Sequence, residues 1–351
     1  MEKKRQIAAV LILLALIGVI AYRHSTGKDL EKYEASFFDV FDTQTQIIGY
    51  ASSKEQFSEQ MSLIKDKFQY YNDLYDIYHD YEGMNNIKTI NDNAGIQPVK
   101  VDEEIIELLK LGITMDEKTD GNMNIAMGSV LSIWHDYREA GSEDPDSAEL
   151  PPMDELEKAA EHTDIHDIVI DEEASTVYLT DPDMLLDVGS IGKGYAVQKV
   201  AEYAKNELGI QYMLFSVGGN VCAIGGHPDG SAWAVGIQNP DVESDQAYIK
   251  KVKVQDLSVV TSGNYQRYYT VDGKRYCHII NQDTLMPADN FSSVTIITND
   301  SGMADAYSTA VFNMPLAEGM EFVNQLDGVE AMWILEDGSI QYSDGFEEYT
   351  R

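Results

Sequence analysis

Two cysteines, Cys222 and Cys277, are all that the 351 residues contain. A disulfide framework is thereby excluded as the source of stability, and the sequence leaves open whether these two pair. Basic residues are scarce as well: 25 Lys+Arg stand against 60 Asp+Glu, a net charge of −35. Beyond residue 28 the count is 20 against 59, a net of −39. Such a surface repels nucleic acid and anionic lipid, because the cations that neutralise phosphates are missing. The chain also lacks internal repeats at a solenoid period and long low-complexity linkers. With 44% hydrophobic residues, it has ample material for a substantial core.

Long apolar runs are limited to one, Ile7–Tyr22, which is 16 residues long and follows Lys3-Lys4-Arg5. It falls somewhat short of the roughly 20 residues that cross a bilayer comfortably, yet exceeds most cleavable signal cores. The basic flank predicts a cytoplasmic N-terminus with the remainder exported. No cysteine follows the run, so a lipoprotein anchor is not supported. Residues 1–28 are read as an uncleaved signal anchor in preference to a cleaved signal peptide, and 29–351 as one domain.

The most informative stretch is Leu185–Tyr195, Leu-Leu-Asp-Val-Gly-Ser-Ile-Gly-Lys-Gly-Tyr. The apolar residues before Asp187 read as a buried strand, and Tyr195–Leu208, closed by Gly209, as a helix. Glycines at 189, 192 and 194 let the backbone approach a large polar group with amide N–H groups turned toward it. An ordinary strand-to-helix connection with a solvated lysine is the plainer alternative. A P-loop is excluded, because Gly189 and Gly192 are too close together and Gly194 follows Lys193 where Ser or Thr is required.

Further along, Ser216–Asn220 reads as a strand running into a double-glycine turn. Tyr268–Val271, Asp272-Gly273 and Arg275–Ile280 form a hairpin that carries His278 near the end of its second strand. A histidine there is by itself an ordinary strand residue. Ala304–Thr309 follows the strand Val294–Ile297 and opens an amphipathic helix. Asp305 and Thr309, four apart, share one face of that helix. They read as an acid near a helix start beside a surface threonine, or as part of a hard-cation site. Mg²⁺ accepts such sparse protein ligation, since phosphates and water complete its octahedron.

Helical patterns cover Glu55–Leu74, Glu103–Lys118 and Leu316–Gln325, and Ala331–Tyr342 reads as a hairpin turning at Asp337-Gly338. The tyrosines 70, 71, 75, 78 and 81 are assigned to packing in preference to an aromatic platform. The acidic stretch Gly141–Glu161 reads as a surface insertion with a solvated face. Strands dominate after Met184, so the architecture is α+β with mixed or antiparallel sheet.

Taken in order, eight segments give the chain a recognisable kinship. They are Phe41-Asp42-Thr43, Asn91–Gly95, Thr119–Asn124, Asp187–Val197, Gly218-Gly219-Asn220, Thr261–Tyr265, Tyr276–Ile280 and Ala304–Thr309. From about Phe38 to Phe322 the chain resembles the ApbE family, the FAD:protein FMN transferases. It departs from the family pattern in three places. Phe41-Asp42-Thr43 stands for Met-Gly-Thr, Asn124 for a frequent Asp, and Gln282-Asp283-Thr284-Leu285 for a Pro-x-Thr-Gly turn.

The resemblance implies an ApbE-type fold with a T-fold-like β core and a flavin cleft between lobes. It implies Mg²⁺-dependent transfer of FMN from FAD to a Thr or Ser hydroxyl of an acceptor protein, with release of AMP. Metal ligands would be Asp305, Thr309 and the Ser190 carbonyl, and His278 with Asp305 would serve catalysis. Flavin and nucleotide contacts would come from Phe41, Tyr81, Asn122, Met123, Asn124, Asp187, Lys193 and Ile280. FAD must then reach a strongly acidic surface, so the divalent cation and Lys193 would offset the repulsion. The expected setting is a bacterial cell membrane with the catalytic part on the extracytoplasmic side and an electron-transfer protein there as acceptor. The rival readings are an Mg²⁺-dependent FAD pyrophosphatase and a non-enzymatic flavin-binding surface module.

Overall fold

The computed structural model describes residues 30–351, so the anchor expected at 1–28 lies outside the described residues. Among these residues no helix is long and apolar enough to cross a membrane.

One eight-stranded antiparallel sheet organises the molecule. Its strands are β1 Glu31–Val40, β2 Thr43–Ala51, β3 Met213–Val217, β4 Asn220–Ile224, β5 Ser258–Gly263, β6 Phe291–Thr298, β7 Glu330–Leu335 and β8 Ile340–Tyr342. Each pairs with its neighbours in chain order, so the sheet is a meander interrupted by insertions. The expected choice between mixed and antiparallel sheet thus resolves to antiparallel. β2 alternates buried and exposed positions, as a strand with one covered face must. β6 is buried along almost its whole length, because it lies centrally with apolar residues packed on both faces.

The helices α1 Lys54–Tyr75, α2 Glu103–Lys118, α3 Gly128–Glu143, α4 Met153–Ala160, α5 Gly192–Asn206, α6 Ser301–Asn313 and α7 Leu316–Asn324 fill the insertions. α1 starts where Ser53 accepts from the Gln56 amide and buries Phe57, Met61, Ile64, Phe68, Tyr71, Leu74 and Tyr75, a stripe of helical period. α2 matches the expected Glu103–Lys118 at both ends, with Asp102 as its N-cap. α5 begins at Gly192, three residues before the expected start, so the glycine-lysine-glycine sequence forms its first turn.

One expectation is corrected. Leu185–Val188 joins no strand ladder. The Asn91 side-chain amide instead satisfies Leu186, accepting from its N–H at 2.8 Å and donating to its carbonyl at 3.0 Å. On the other side Gly128 N–H donates to Leu185 O and Asp187 N–H to Ile125 O. The segment is extended because its polar groups are paired one by one with a side chain and an irregular chain.

Gly141–Glu161, read as a surface insertion with a solvated face, turns its charges outward and also has a packed side. It contains α4, whose Leu156 is fully buried in a cluster with Trp134, Tyr269 and Ile280. Ser129 Oγ donates to Ala159 O, and Tyr269 OH donates to Glu149 O. The charged residues face out while the apolar ones weld α3 and α4 to the Tyr268–Cys277 hairpin.

Candidate active site

α5 and α6 cross at their first turns, and this crossing makes the site. Gly194 packs against Ser301 and Asp305: a Cβ on Gly194 would sit 2.2 Å from Ser301 O and 2.5 Å from Asp305 Cβ. The Gln198 side chain accepts from the Ser301 amide at 3.0 Å, tying α5 to the N-terminus of α6. Asp300 caps α6 by accepting from Met303 N–H.

In this crossing the Gly194 amide donates to Asp305 Oδ2 at 2.7 Å. Asp305 is 5% exposed and forms no ion pair among the described residues. Burial pushes its carboxyl up from the usual range, while the Lys193 charge, the Gly194 amide and Asn220 pull it back. A buried carboxylate with one backbone donor keeps open acceptor sites. Nearby in sequence, Ser190 Oγ is buried without a partner, and so is Oδ1 of the fully buried Asn220. Asn220 opens β4 after the Gly218-Gly219 turn, where Gly218 at φ +49 lies against Thr43. The Asp305 carboxylate and the Asn220 amide oxygen, whose side chains interact, are hard donors of the kind a small divalent cation takes. Thr309, one turn after Asp305, is half-buried on α6.

Asp187 heads the turn into α5, where its Oδ1 accepts from Gly189 N–H at 2.8 Å. Burial pushes its carboxyl up, against the Gly189 amide and the charges of His135, Arg138 and Arg267, which favour the ionised form. His278 stands one residue beyond the hairpin strand Lys274–Cys277. Its Nδ1 lies 3.2 Å from the Arg267 carbonyl, an interaction that puts the proton on Nδ1 and leaves the Nε2 lone pair free. Burial, then the charges of Arg267, Arg138 and Lys193, hold its pKa down at about 3. His278 is therefore a neutral imidazole at physiological pH.

The structure distributes the remaining expected contacts unevenly. Phe41 sits in the β1–β2 turn at φ 53 with Asp42 at φ 48, and Asn72 Oδ1 holds its amide at 2.8 Å. Asn122 is fixed through backbone and side chain: its carbonyl accepts from Asn313, and its Nδ2 donates to Thr119 O. Met123 is buried in the main core, and Ile280 in the cluster around Trp134. Asn124 spends its side chain on structure, donating to Thr163 O and accepting from Ala126 N–H. Tyr81 donates to Asp76 Oδ2 at 2.8 Å and lines a hollow of about 770 Å³ with Tyr70, Lys100 and Asp102.

Three residues whose charges act on Asp187 were not singled out in the sequence, His135, Arg138 and Arg267, and a fourth, Tyr78, was assigned to packing. Tyr78 is 54% exposed, its ring lies 5.3 Å from that of His135, and the Asp187 charge acts on its hydroxyl. It is the one tyrosine of the expected packing set that remains open to solvent to this degree. The rarity of arginine, six in the chain, is the signal that would have drawn attention to the other pair. The free Cys222 and Cys277 are both buried, and they do not pair.

A family model described as the ApbE family matches residues 41–333. An FAD:protein FMN transferase of Treponema pallidum is 32% identical over 279 residues, covering 76% of this chain and 75% of its own. One from Klebsiella pneumoniae is 28% identical over 302 residues, covering 86% of this chain and 91% of its own. The solved ApbE protein of Thermotoga maritima superimposes with a TM-score of 0.79 at 29% identity, covering 92% of this chain and 100% of that one.

Proposed function

The chain belongs to the ApbE family, and we propose that it moves FMN from FAD onto a threonine or serine hydroxyl of an acceptor protein, releasing AMP. The observation that carries this reading is the α5–α6 crossing. It sets the buried Asp305 against the Gly194 amide with the charge of Lys193 beside it, which is a receptacle for a metal-bound diphosphate.

Asp305, Thr309 and the Ser190 carbonyl would hold Mg²⁺, and the unpartnered Asn220 oxygen, on a side chain that interacts with Asp305, fits a hard cation there. When bound, Mg²⁺ supplies charge neutralisation on phosphate oxygens. Lys193 adds a point charge to a phosphate from the first turn of α5. Asp187, braced by the Gly189 amide, orients the nucleotide. His278 Nε2 takes the proton of the acceptor hydroxyl as its oxygen bonds to the FMN-side phosphorus. The P–O–P bridge breaks, and its electron pair leaves with AMP. Such attack needs alignment and charge neutralisation more than covalent help.

The test is AMP release from FAD in Mg²⁺, with and without an acceptor peptide carrying a reactive threonine. Release that requires the peptide supports transfer. Release to the same extent without it makes the protein a pyrophosphatase, and no release at all makes it a binding module. We further place the protein at a bacterial membrane, anchored by residues 1–28 with the catalytic part facing outward. Protease added to intact cells should then digest that part. Protection until lysis would contradict the topology.

A further inference from the structure

The hairpin of Trp233–Gln238 and Tyr248–Val254 covers the face of the large sheet opposite α5 and α6. Its inner residues Trp233, Val235, Ile237, Val252 and Val254 share one core with Val259 and Ile297 of the sheet. Their chain neighbours Val260 and Ile296 belong to the other core, with α5 and α6, because successive residues of a strand point to opposite faces. The outer strand, Tyr-Ile-Lys-Lys-Val-Lys-Val, holds three of the 20 basic residues beyond residue 28 and no acid. In a domain of net −39, that is a local reversal of sign.

The scaffold leaves that charge uncommitted. Lys251 and Lys253 are exposed and alternate with the buried Val252 and Val254. Across the ladder they face Gly236 and Ala234, neither of which has an acceptor side chain. Lys250, Lys251 and Lys253 form no ion pair among the described residues. Lys250 turns the other way, its Nζ 5.1 Å from the centre of the Tyr342 ring. A register shift after Ile237 brings the 52% exposed Tyr248 onto the outer face, where a Cβ on Gly236 would meet its ring at 2.4 Å. The acids at the Lys253 end have partners already. Asp229 accepts from the Ser231 amide at 2.9 Å and its hydroxyl at 2.6 Å. Asp256 accepts from Lys205 Nζ and the Gly225 amide, both at 3.0 Å. The exposed Asp241, Glu243 and Asp245 sit in the connection at the opposite end of the hairpin.

The position of Leu30 decides what this face meets. Leu30 lines a hollow of about 440 Å³ with Tyr50, His227, Pro228, Asp229 and Ser231. Ser231 lies two residues ahead of Trp233, which pairs with Val254. Residues 1–28 therefore join the domain at the end of the hairpin where Lys253 stands. We propose that Lys251 and Lys253, with Tyr248 beside them, rest on anionic phospholipid headgroups of the bilayer that holds the anchor. The inference rests on the membrane placement proposed above. Screening confines the repulsion from the rest of the domain to about 8 Å, so the face nearest the bilayer sets the orientation. Each lysine there strengthens contact with an anionic surface about fivefold, and tyrosine suits the headgroup level. Because α5 and α6 lie across the sheet from the hairpin, a domain docked this way turns its site away from the lipid and toward a protein acceptor.

The test separates the lysine face from the anchor. The full chain is mixed with vesicles of phosphatidylcholine alone or with added phosphatidylglycerol, floated, and its lysines are acylated and read by peptide mass. On the anionic vesicles Lys251 and Lys253 should react at least about fivefold more slowly than on the neutral ones. Salt at about 0.5 M should remove the difference. The exposed Lys118 of α2 and Lys158 of α4 should react alike on both. Flotation with both vesicles and equal acylation of Lys251 and Lys253 overturns the proposal and keeps the anchor. Flotation with neither overturns both. Flotation with anionic vesicles alone refutes the anchor; its loss in a Lys251→Gln, Lys253→Gln protein then supports the lysine face, and its persistence overturns it. Slow acylation without vesicles, deepening with protein concentration, would make the face a contact between copies of the chain and also overturn the proposal.

Discussion

Gly194 and Asp305 are 111 residues apart in the chain, and a 2.7 Å hydrogen bond joins the amide of one to the carboxylate of the other. The bond depends on glycine, because the crossing of α5 and α6 leaves no room for a side chain there. Gly194→Ala would push a methyl into Ser301 O at 2.2 Å, and backbone cannot swing aside as a side-chain tip can. We expect a loss of about 1–3 kcal/mol together with loss of FAD cleavage. Gly192→Ala is the control: its Cβ would meet Val188 at 3.4 Å, an ordinary contact. Thermal melts of both variants check this, and a Gly194→Ala protein with parental stability would remove the crossing from the account.

Asp305 carries the metal reading. Its buried carboxyl is pushed up by desolvation, so the ionised form costs the fold free energy unless a cation joins it. Asp305→Asn should therefore lose FAD cleavage while unfolding no earlier than the parent in chelator. Added Mg²⁺ should raise the midpoint of the parent and leave that of the variant in place. Equal stabilisation of both proteins by Mg²⁺ would move the metal elsewhere.

His278 makes a pH prediction with a definite sign. Its pKa in the fold is about 3, below the value near 6.5 of a free imidazole. The unfolded chain thus takes up this proton first as pH falls. The stability that the neutral ring contributes is full above pH ~6.5 and is lost as pH drops toward 3. Before substrate binds, the base is already unprotonated, so kcat/KM for FAD should show no inflection near pH 6.5 that His278→Gln removes. A pH–rate profile of parent and variant decides the point, and such an inflection in the parent alone would show that the imidazole is not held neutral.

Periodicity and turn chemistry made much of the fold legible before any coordinates. α2 is bounded by Asp102 and carries its apolar stripe in plain view. The Asp272-Gly273 turn forms with both residues at positive φ, as a two-residue hairpin demands. Leu185–Val188 was not legible, because a side-chain amide, Asn91, stands where a neighbouring strand was expected. The packing role of Leu156 was hidden by the acids around it. Family departures also acquire a reason. Asp42 and Leu285 stand where the family pattern has glycine, and both adopt the positive φ, 48° and 55°, that glycine takes freely.

The site divides in the same way. Asp187, Lys193 and Asp305 were visible because glycines and helix spacing mark them. Arg138, His135 and Tyr78 were not, since no local pattern links α1's exit and α3 to a hairpin more than a hundred residues later. Only the charges that act on Asp187 and His278 in the folded chain expose Arg138 and His135, and Tyr78 follows from its ring contact with His135.

The central claim is that the site transfers FMN to protein, and intact mass is its most direct measure. The full chain is incubated with FAD, Mg²⁺ and a peptide that carries a reactive threonine. The account predicts that the peptide gains the mass of FMN less one water, with one AMP appearing for each peptide labelled. It also predicts that neither product forms with Asp305→Asn or in chelator. AMP and free FMN accumulating while the peptide mass stays unchanged would contradict it.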